Sequence, residues 1–451
     1  MQEYTSPGEQ QVAAEENLTT SLFEAAVTYP TRPALATRVG NTFQTITTRA
    51  FLDDVIAVAG GLMGLGIEPG DRVCVMSPTR YEWTVLDYAI WSAGGVTVPI
   101  YETSSPEQVQ WIVSDSGARA IIVADDDLAA LVEEVGDQIP TCEHRFVLDA
   151  GGLDELKAAG ADVDVDAVTA RAASRSAADL ATLVYTSGTT GRPKGVELSH
   201  GNFIWDAAQV VSVTTTFFRA GESTLLFLPL AHIFARVIQV GCVRSGVLLG
   251  YSTGIPQLLE ELALLKPSFL LAVPRVFEKV FNGAQQRAHA DGKGAIFDRA
   301  ADIAIQYSRE QASGKVSLPV RIQHAVFDRL VYGRLRAALG GRVEYAVSGG
   351  AALGDRLGHF FNGIGVTILE GYGLTETTAG ATLNTPEAFR IGTVGRPLPG
   401  SSVRIGSDGE ILLKGGGVMA GYYNNAEASA EALTEDGWFH TGDLGSIDSQ
   451  G

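Results

Sequence analysis

Short uncharged apolar runs alternate with stretches of helical period from Phe51 to Val123, and this alternation narrows the fold more than any other feature. Phe51, Val55, Val58 and Leu62 recur on one helical face, which Gly66 and the turn Glu68, Pro69, Gly70 bring to an end. Arg72–Met76 then reads RVCVM, apolar on both sides as an inner strand of a parallel sheet must be. Ser77 and Pro78 turn the chain into a second helix through Trp83, Leu86 and Ile90. The same order returns at 96–99, Pro106–Ser116 and 119–123, which predicts a parallel α/β sheet. A second such series runs through strands at 224–228, 247–249 and 268–273 with a helix at 257–265.

Residues 275–342 keep helical period and carry many charges, the pattern of an insertion lying over the second layer. After Gly392 the pattern changes to short β runs at 402–405 and 410–414, separated by the turn Ser407, Asp408, Gly409. That predicts a small β subdomain. The Ala/Asp-rich stretch 158–181 reads as a linker. The turn-like end 447–451 would ordinarily lead into another strand, so a longer parent chain is expected.

Composition sets the class. A chain of 451 residues exceeds one ordinary core, and 45% hydrophobic with 19% charged residues is globular. No apolar run reaches the ~18 residues of a spanning helix. The first thirty residues lack a basic start and an apolar core, which points to the cytoplasm. Cys74, Cys142 and Cys242 lie far apart without metal spacing and read as reduced core residues. A net charge of −19 opposes nucleic acid as a partner, so any phosphate must be held by local charge and backbone N–H groups.

One segment is built to do that. Residues 183–195 read LVYTSGTTGRPKG: an apolar strand runs into a loop with three glycines, four hydroxyls (Thr186, Ser187, Thr189, Thr190) and Lys194. Glycines Gly188 and Gly191 let backbone N–H groups converge on an anion, the hydroxyls add donors, and Lys194 adds charge. The Gly-Lys-Ser/Thr of the common nucleotide loop is missing.

This loop closely resembles the phosphate loop of the acyl-adenylate-forming superfamily, which includes acyl-CoA ligases, luciferases and peptide-synthetase adenylation domains. Further segments match in the same order. Residues 370–376 (EGYGLTE) resemble the adenine and magnesium segment, which implies Glu370, Gly371, Tyr372 and Gly373 at the nucleotide, Thr375 at the α-phosphate and Glu376 on magnesium. Ser348, Gly349 and Gly350 resemble the adenine-side wall, although a tight turn explains these glycines as well. Residues 438–443 (WFHTGD) resemble the ribose segment, with Asp443 accepting both hydroxyls. Residues 228–236 (LPLAHIFAR) resemble the border of the acyl pocket and put His232 beside the substrate carboxylate; a satisfied core histidine is the alternative.

The resemblance implies a fold of two parallel α/β subdomains, 1–200 and 201–391, plus a small distorted β barrel at 392–451. It also implies a two-step reaction: a carboxylate and ATP give acyl-AMP and pyrophosphate, and the thiol of coenzyme A then displaces AMP. Mg²⁺ falls to Thr186 and Glu376, and Lys194 with Ser187, Gly188, Thr189 and Thr190 surrounds the β- and γ-phosphates. In the family a lysine on a C-terminal domain and an arginine beyond the aspartate segment complete the site. This chain ends before both positions, so weak binding and poor turnover are expected. The segment PLAHIFAR and the insertion after 274–279 (PRVFEK) look most like long-chain acyl-CoA ligases. Competing readings are an acyl-AMP ligase serving a carrier protein and a non-catalytic acyl- or nucleotide-binding module. An amphipathic patch for peripheral membrane contact is compatible with the net charge.

Overall fold

The computed structural model describes residues 2–186 and 191–451. The first α/β series forms a sheet in the order Gly421–Tyr422, Lys194–Ser199, Leu180–Thr186, Val96–Ile100, Arg72–Met76, Ala120–Val123, His144–Val147. Its inner strands are parallel, and Lys194–Ser199 runs antiparallel to both its neighbours, Leu180–Thr186 and Gly421–Tyr422. Alternate side chains of Arg72–Met76 enter two different cores. Val73 and Val75 join Phe51, Leu62 and Trp83, whereas Cys74 and Met76 join Val109, Ile112 and Val113. A strand buried on both faces has no polar side, hence the unbroken apolar run. All three cysteines are buried and free.

The second series builds two neighbouring sheets. Ser223–Leu226, Leu248–Tyr251 and Pro33–Val39 run parallel, with Thr42–Thr47 antiparallel at the edge. The other sheet orders Phe269–Ala272, Tyr345–Ser348 and Thr367–Tyr372 in parallel, followed by the antiparallel pairs Thr382–Leu383 and Arg396–Pro397. The Ser268 N–H donates to the Ser223 carbonyl at 2.9 Å and ties the two together. Strand pairing therefore draws Pro33–Val39 and Thr42–Thr47, from the start of the chain, into a layer otherwise made of residues beyond 220. The insertion is helical as expected: Pro274–Ala290, Gly294–Ala312, Leu318–Phe327 and Gly333–Ala338. Phe277 and Phe281 seat it edge-on against Phe361 and Phe360 of the helix Asp355–Gly363.

Two expectations need correction. The supposed linker 158–181 contains a helix, Val165–Ala173, with Val168 and Ala172 buried. Alanine is the strongest helix former, so an Ala-rich stretch with an apolar i, i+4 pair docks instead of floating. Glycines in the helix Thr48–Gly64 admit the start of this region: a Cβ on Gly64 would sit 2.3 Å from the Ala159 carbonyl oxygen. The β subdomain, in turn, is an open antiparallel sheet in the order Glu3–Thr5, Ser402–Ile405, Glu410–Lys414, Phe439–Leu444. Among the described residues its edge strands do not meet, because a sheet of this width cannot close around its own side chains. No helix among the described residues is long and apolar enough to cross a membrane.

Candidate active site

The site is assembled from loops at the C-terminal ends of parallel strands, where α/β sheets present ligand-binding groups. Thr186 and Lys194 face each other across the hairpin that closes the first sheet. Its arms are fixed from below. Trp111 donates its indole N–H to the Pro193 carbonyl at 2.9 Å, and the Arg192 guanidinium lies 4.5 Å from the Trp111 ring centre. Gly195 packs closely here: a Cβ would stand 3.1 Å from the Tyr185 ring, which would have to shift to admit it. Gly191 takes φ +117, a conformation few other residues adopt. Ser187, Gly188, Thr189 and Thr190 lie outside the described residues.

Strand Thr367–Tyr372 delivers the second group. The chain then folds back so tightly that a Cβ on Gly373 would meet the Ala379 carbonyl oxygen at 2.0 Å, and Thr378 and Ala379 adopt positive φ (56 and 74). Strained backbone of this kind persists only where its surroundings fix it. Here the Thr378 hydroxyl donates to the Gly417 carbonyl at 2.7 Å and the Met419 N–H donates to the Glu376 carbonyl at 2.8 Å. The Glu376 carboxylate accepts the Tyr422 hydroxyl at 2.9 Å, and the Lys194 ammonium lies 4.8 Å from the centre of that same ring. Tyr422 thus joins the hairpin to the 370–380 loop, a role with no signal in the sequence because strand Gly421–Tyr422 reaches the sheet from far along the chain. Tyr372 donates to Asp443 at 2.7 Å, bringing the segments 370–376 and 438–443 into contact. Burial, then the Asp443 carboxylate, pushes the Tyr372 phenol far up, so it stays a donor at neutral pH.

These residues open onto a cavity of about 2060 Å³. Thr186, Lys194, His232, Gly349, Gly350, Gly371, Tyr372, Gly373, Thr375, Glu376 and Asp443 all line it. Glu370 does not: its carboxylate is buried and accepts the Leu353 N–H at 3.0 Å, holding the turn after Ser348. The opposite wall is apolar, formed by Phe217, Phe218, Phe234, Val237 and Ile238. His232 both caps a helix and faces the cavity. Its Nδ1 accepts the Phe234 N–H at 3.2 Å at the start of Ile233–Ser245. The protein packed round the ring lowers its pKa. The neutral ring therefore carries its proton on Nε2, free to donate into the cavity.

Two further features escaped sequence reasoning. Arg236, at the end of the LPLAHIFAR segment, is wholly buried and ion-paired to Asp87 at 2.5 Å. Asp206, on helix His200–Val213, lines the cavity with neither carboxyl oxygen hydrogen-bonded among the described residues.

Known proteins share this architecture. Residues 22–423 match the family model described as AMP-binding enzyme. The chain is 46% identical over 454 residues to a long-chain-fatty-acid–CoA ligase, FadD15, of Mycobacterium bovis, covering 100% of this chain and 76% of that protein. Among solved structures, the N-terminal domain of FACL13 from Mycobacterium tuberculosis superposes with TM-score 0.75 at 24% identity, covering 97% of this chain and 98% of that one. ATP-bound MatB from Rhodopseudomonas palustris gives TM-score 0.76 at 24% identity, covering 97% and 78%.

Proposed function

This chain belongs to the AMP-binding enzyme family, and on that premise we propose that it activates a long-chain fatty acid with ATP and transfers the acyl group to coenzyme A, releasing pyrophosphate and AMP. The observation that carries the reading is one cavity with a polar wall of Thr186, Lys194, Glu376, Tyr372 and Asp443 and an apolar wall of Phe217, Phe234 and Val237. A nucleotide and an aliphatic chain need those two surfaces side by side.

A carboxylate attacking the α-phosphate brings negative charge towards a polyanion, so the residues must supply positive potential and alignment. Lys194 gives fixed charge at the phosphates, and the Thr375 hydroxyl donates to the α-phosphate. Tyr372 offers its ring to adenine while its hydroxyl holds Asp443, whose carboxylate oxygens accept from the ribose hydroxyls. His232, neutral with its proton on Nε2, donates to the substrate carboxylate and aims it. Thr186 and Glu376 are hard oxygen donors on the same cavity, and the Tyr422 bond occupies only one Glu376 oxygen, so the pair fits a magnesium ion. Such an ion would supply Lewis-acid charge at the phosphates.

An alkyl-AMP ester combines the two groups the cavity is proposed to hold. Calorimetric titration should give at least roughly a hundredfold tighter binding than AMP alone, as expected when two sites share one ligand. Val237→Asp, in the apolar wall, should remove most of that gain, whereas Asp443→Ala should weaken AMP and the ester alike. Affinity equal to that of AMP would refute a combined nucleotide and acyl site. Acid-dependent AMP release with and without coenzyme A then separates thiol transfer from delivery to a carrier protein.

A further inference from the structure

The apolar wall of the cavity contains a carboxyl group. Helix His200–Val213 presents Ala207, Val210 and Val211 to the cavity. Thr214 follows at the helix end, but its hydroxyl donates to the Val210 carbonyl at 2.7 Å and is used within the helix. Asp206 lines the same wall. Its side chain is wholly buried, and neither carboxyl oxygen has a hydrogen-bond partner among the described residues.

The place of this carboxyl is set by a glycine across from it. A Cβ on Gly380 would stand 2.4 Å from Asp206 Oδ1 and 3.0 Å from a Leu398 methyl carbon, so a side chain there would push the carboxyl aside. Gly380 and Leu398 line the cavity as well. Gly380 also follows directly on the tight turn that carries Thr375 and Glu376, which sets Asp206 toward the end of the cavity where those two residues stand.

A buried carboxyl gives up its hydrogen bonds to water, and an unbranched hydrocarbon chain lying against it returns none. Burial also pushes its pKa well above the carboxylate range, which favours the protonated form with one O–H donor and an acceptor oxygen. An alcohol hydroxyl is likewise donor and acceptor. A pocket that is otherwise apolar and holds one polar group of this kind distinguishes ligands by where they carry the matching group.

We propose that Asp206 selects acyl chains bearing a hydroxyl group, which pairs with its carboxyl as donor and acceptor. The proposal rests on the reading of this cavity as an acyl site, and it narrows the substrate from an aliphatic acid to a hydroxylated one.

The test is calorimetric titration of the chain with alkyl-AMP esters that differ only in which carbon bears a hydroxyl, with the unsubstituted ester and AMP as references. One position, in the half of the alkyl chain nearer the phosphate, should bind roughly tenfold tighter than the unsubstituted ester, as a hydrogen bond to an otherwise unsatisfied group allows. The other positions should bind more weakly, because their hydroxyls are buried without a partner. Asp206→Leu should abolish the peak while the unsubstituted ester still binds. Asp206→Asn, whose amide keeps a donor and an acceptor at nearly the same shape, should retain most of it. Leucine replaces an unpartnered buried polar group with an apolar one, so both variants should fold. A series without a peak, a peak in the outer half of the chain, or a peak that survives Asp206→Leu overturns the proposal. So does weaker binding of AMP itself to Asp206→Leu, which would assign the carboxyl to support of the turn that precedes Gly380. Tighter binding of an amine than of a hydroxyl at the peak position also overturns it, making Asp206 the ionised partner of a cation. Failure of the acyl reading looks different: the unsubstituted ester then binds no better than AMP, and the proposal falls with it.

Discussion

Asp87 and Asp206 are both fully buried, and their surroundings are opposite. Asp87 accepts from Arg236 at 3.0 and 2.5 Å, from Gln239 at 3.0 Å and from Thr97 at 2.7 Å. Arg236 in turn donates to Thr182 at 2.6 Å and lies within 5.3–5.6 Å of the rings of Trp83, Trp91 and Phe203. Every charge there is answered, and the network fastens helix Ile233–Ser245, which lines the apolar wall of the cavity, to the first sheet. Asp206 has no such partner among the described residues, and burial pushes its pKa well above the carboxylate range, opposed in part by the Gly380 N–H. The first aspartate is enclosed by a complete set of donors. The second lines the cavity with only the Gly380 N–H beside it, and burial raises its pKa.

The largest effect should come from opening the closed network. Arg236→Met leaves Asp87 buried without its counter-charge, and breaking a buried pair costs about 3–5 kcal/mol. Denaturant unfolding should record that loss, together with release of helix Ile233–Ser245 and so of the acyl wall. Arg236→Met combined with Asp87→Leu should recover much of it, because a well-packed apolar pair avoids the desolvation of both charges. An unchanged midpoint in the single variant would mean that the network does not fix the two layers.

Next comes a charge that faces the cavity instead of the core. Lys194 is half-buried and paired with no carboxylate among the described residues, so Lys194→Ala should leave stability within about 0.5 kcal/mol of the parent. Acid-dependent pyrophosphate exchange should nevertheless fall roughly a hundredfold to a thousandfold, the range for losing one transition-state donor of about 2.7–4 kcal/mol. A melting shift as large as that of the Arg236 variant would place Lys194 with the structural charges.

The sequence exposed the first contrast unevenly. The phosphate loop, EGYGLTE and WFHTGD are local strings whose chemistry depends on residue type and order, and Thr186, Lys194, Tyr372, Glu376 and Asp443 do converge on one cavity. The parallel strands were readable for the same reason, since burial on both faces leaves an unbroken apolar run. What stayed hidden depends on distant partners. Asp87 and Arg236 are separated by most of two layers of sequence, Tyr422 reaches Glu376 through a strand that joins the far edge of a sheet, and Pro33–Val39 pairs with a layer formed beyond residue 220. Glu370, inside a matching motif, turned out to brace Leu353 because neighbouring residues of a strand point to opposite sides.

The finest contrast concerns the proton on Asp206. A carboxyl whose folded pKa is raised keeps a proton that the unfolded chain releases above about pH 3.9. Between that value and the raised pKa the folded state binds more protons, so stability falls as pH rises, by at most about 1.4 kcal/mol per pH unit for a whole proton. Asp206→Asn has nearly the same shape and no proton to lose. Its stability relative to the parent should therefore increase steadily from pH 5 to pH 8, read as a widening gap in melting temperature. The slope isolates this residue because Asp87, held by its donors in both proteins, contributes equally and cancels. A gap that is flat with pH would mean that Asp206 is ionised in the folded chain, which requires a cation or donors beyond the Gly380 N–H beside it.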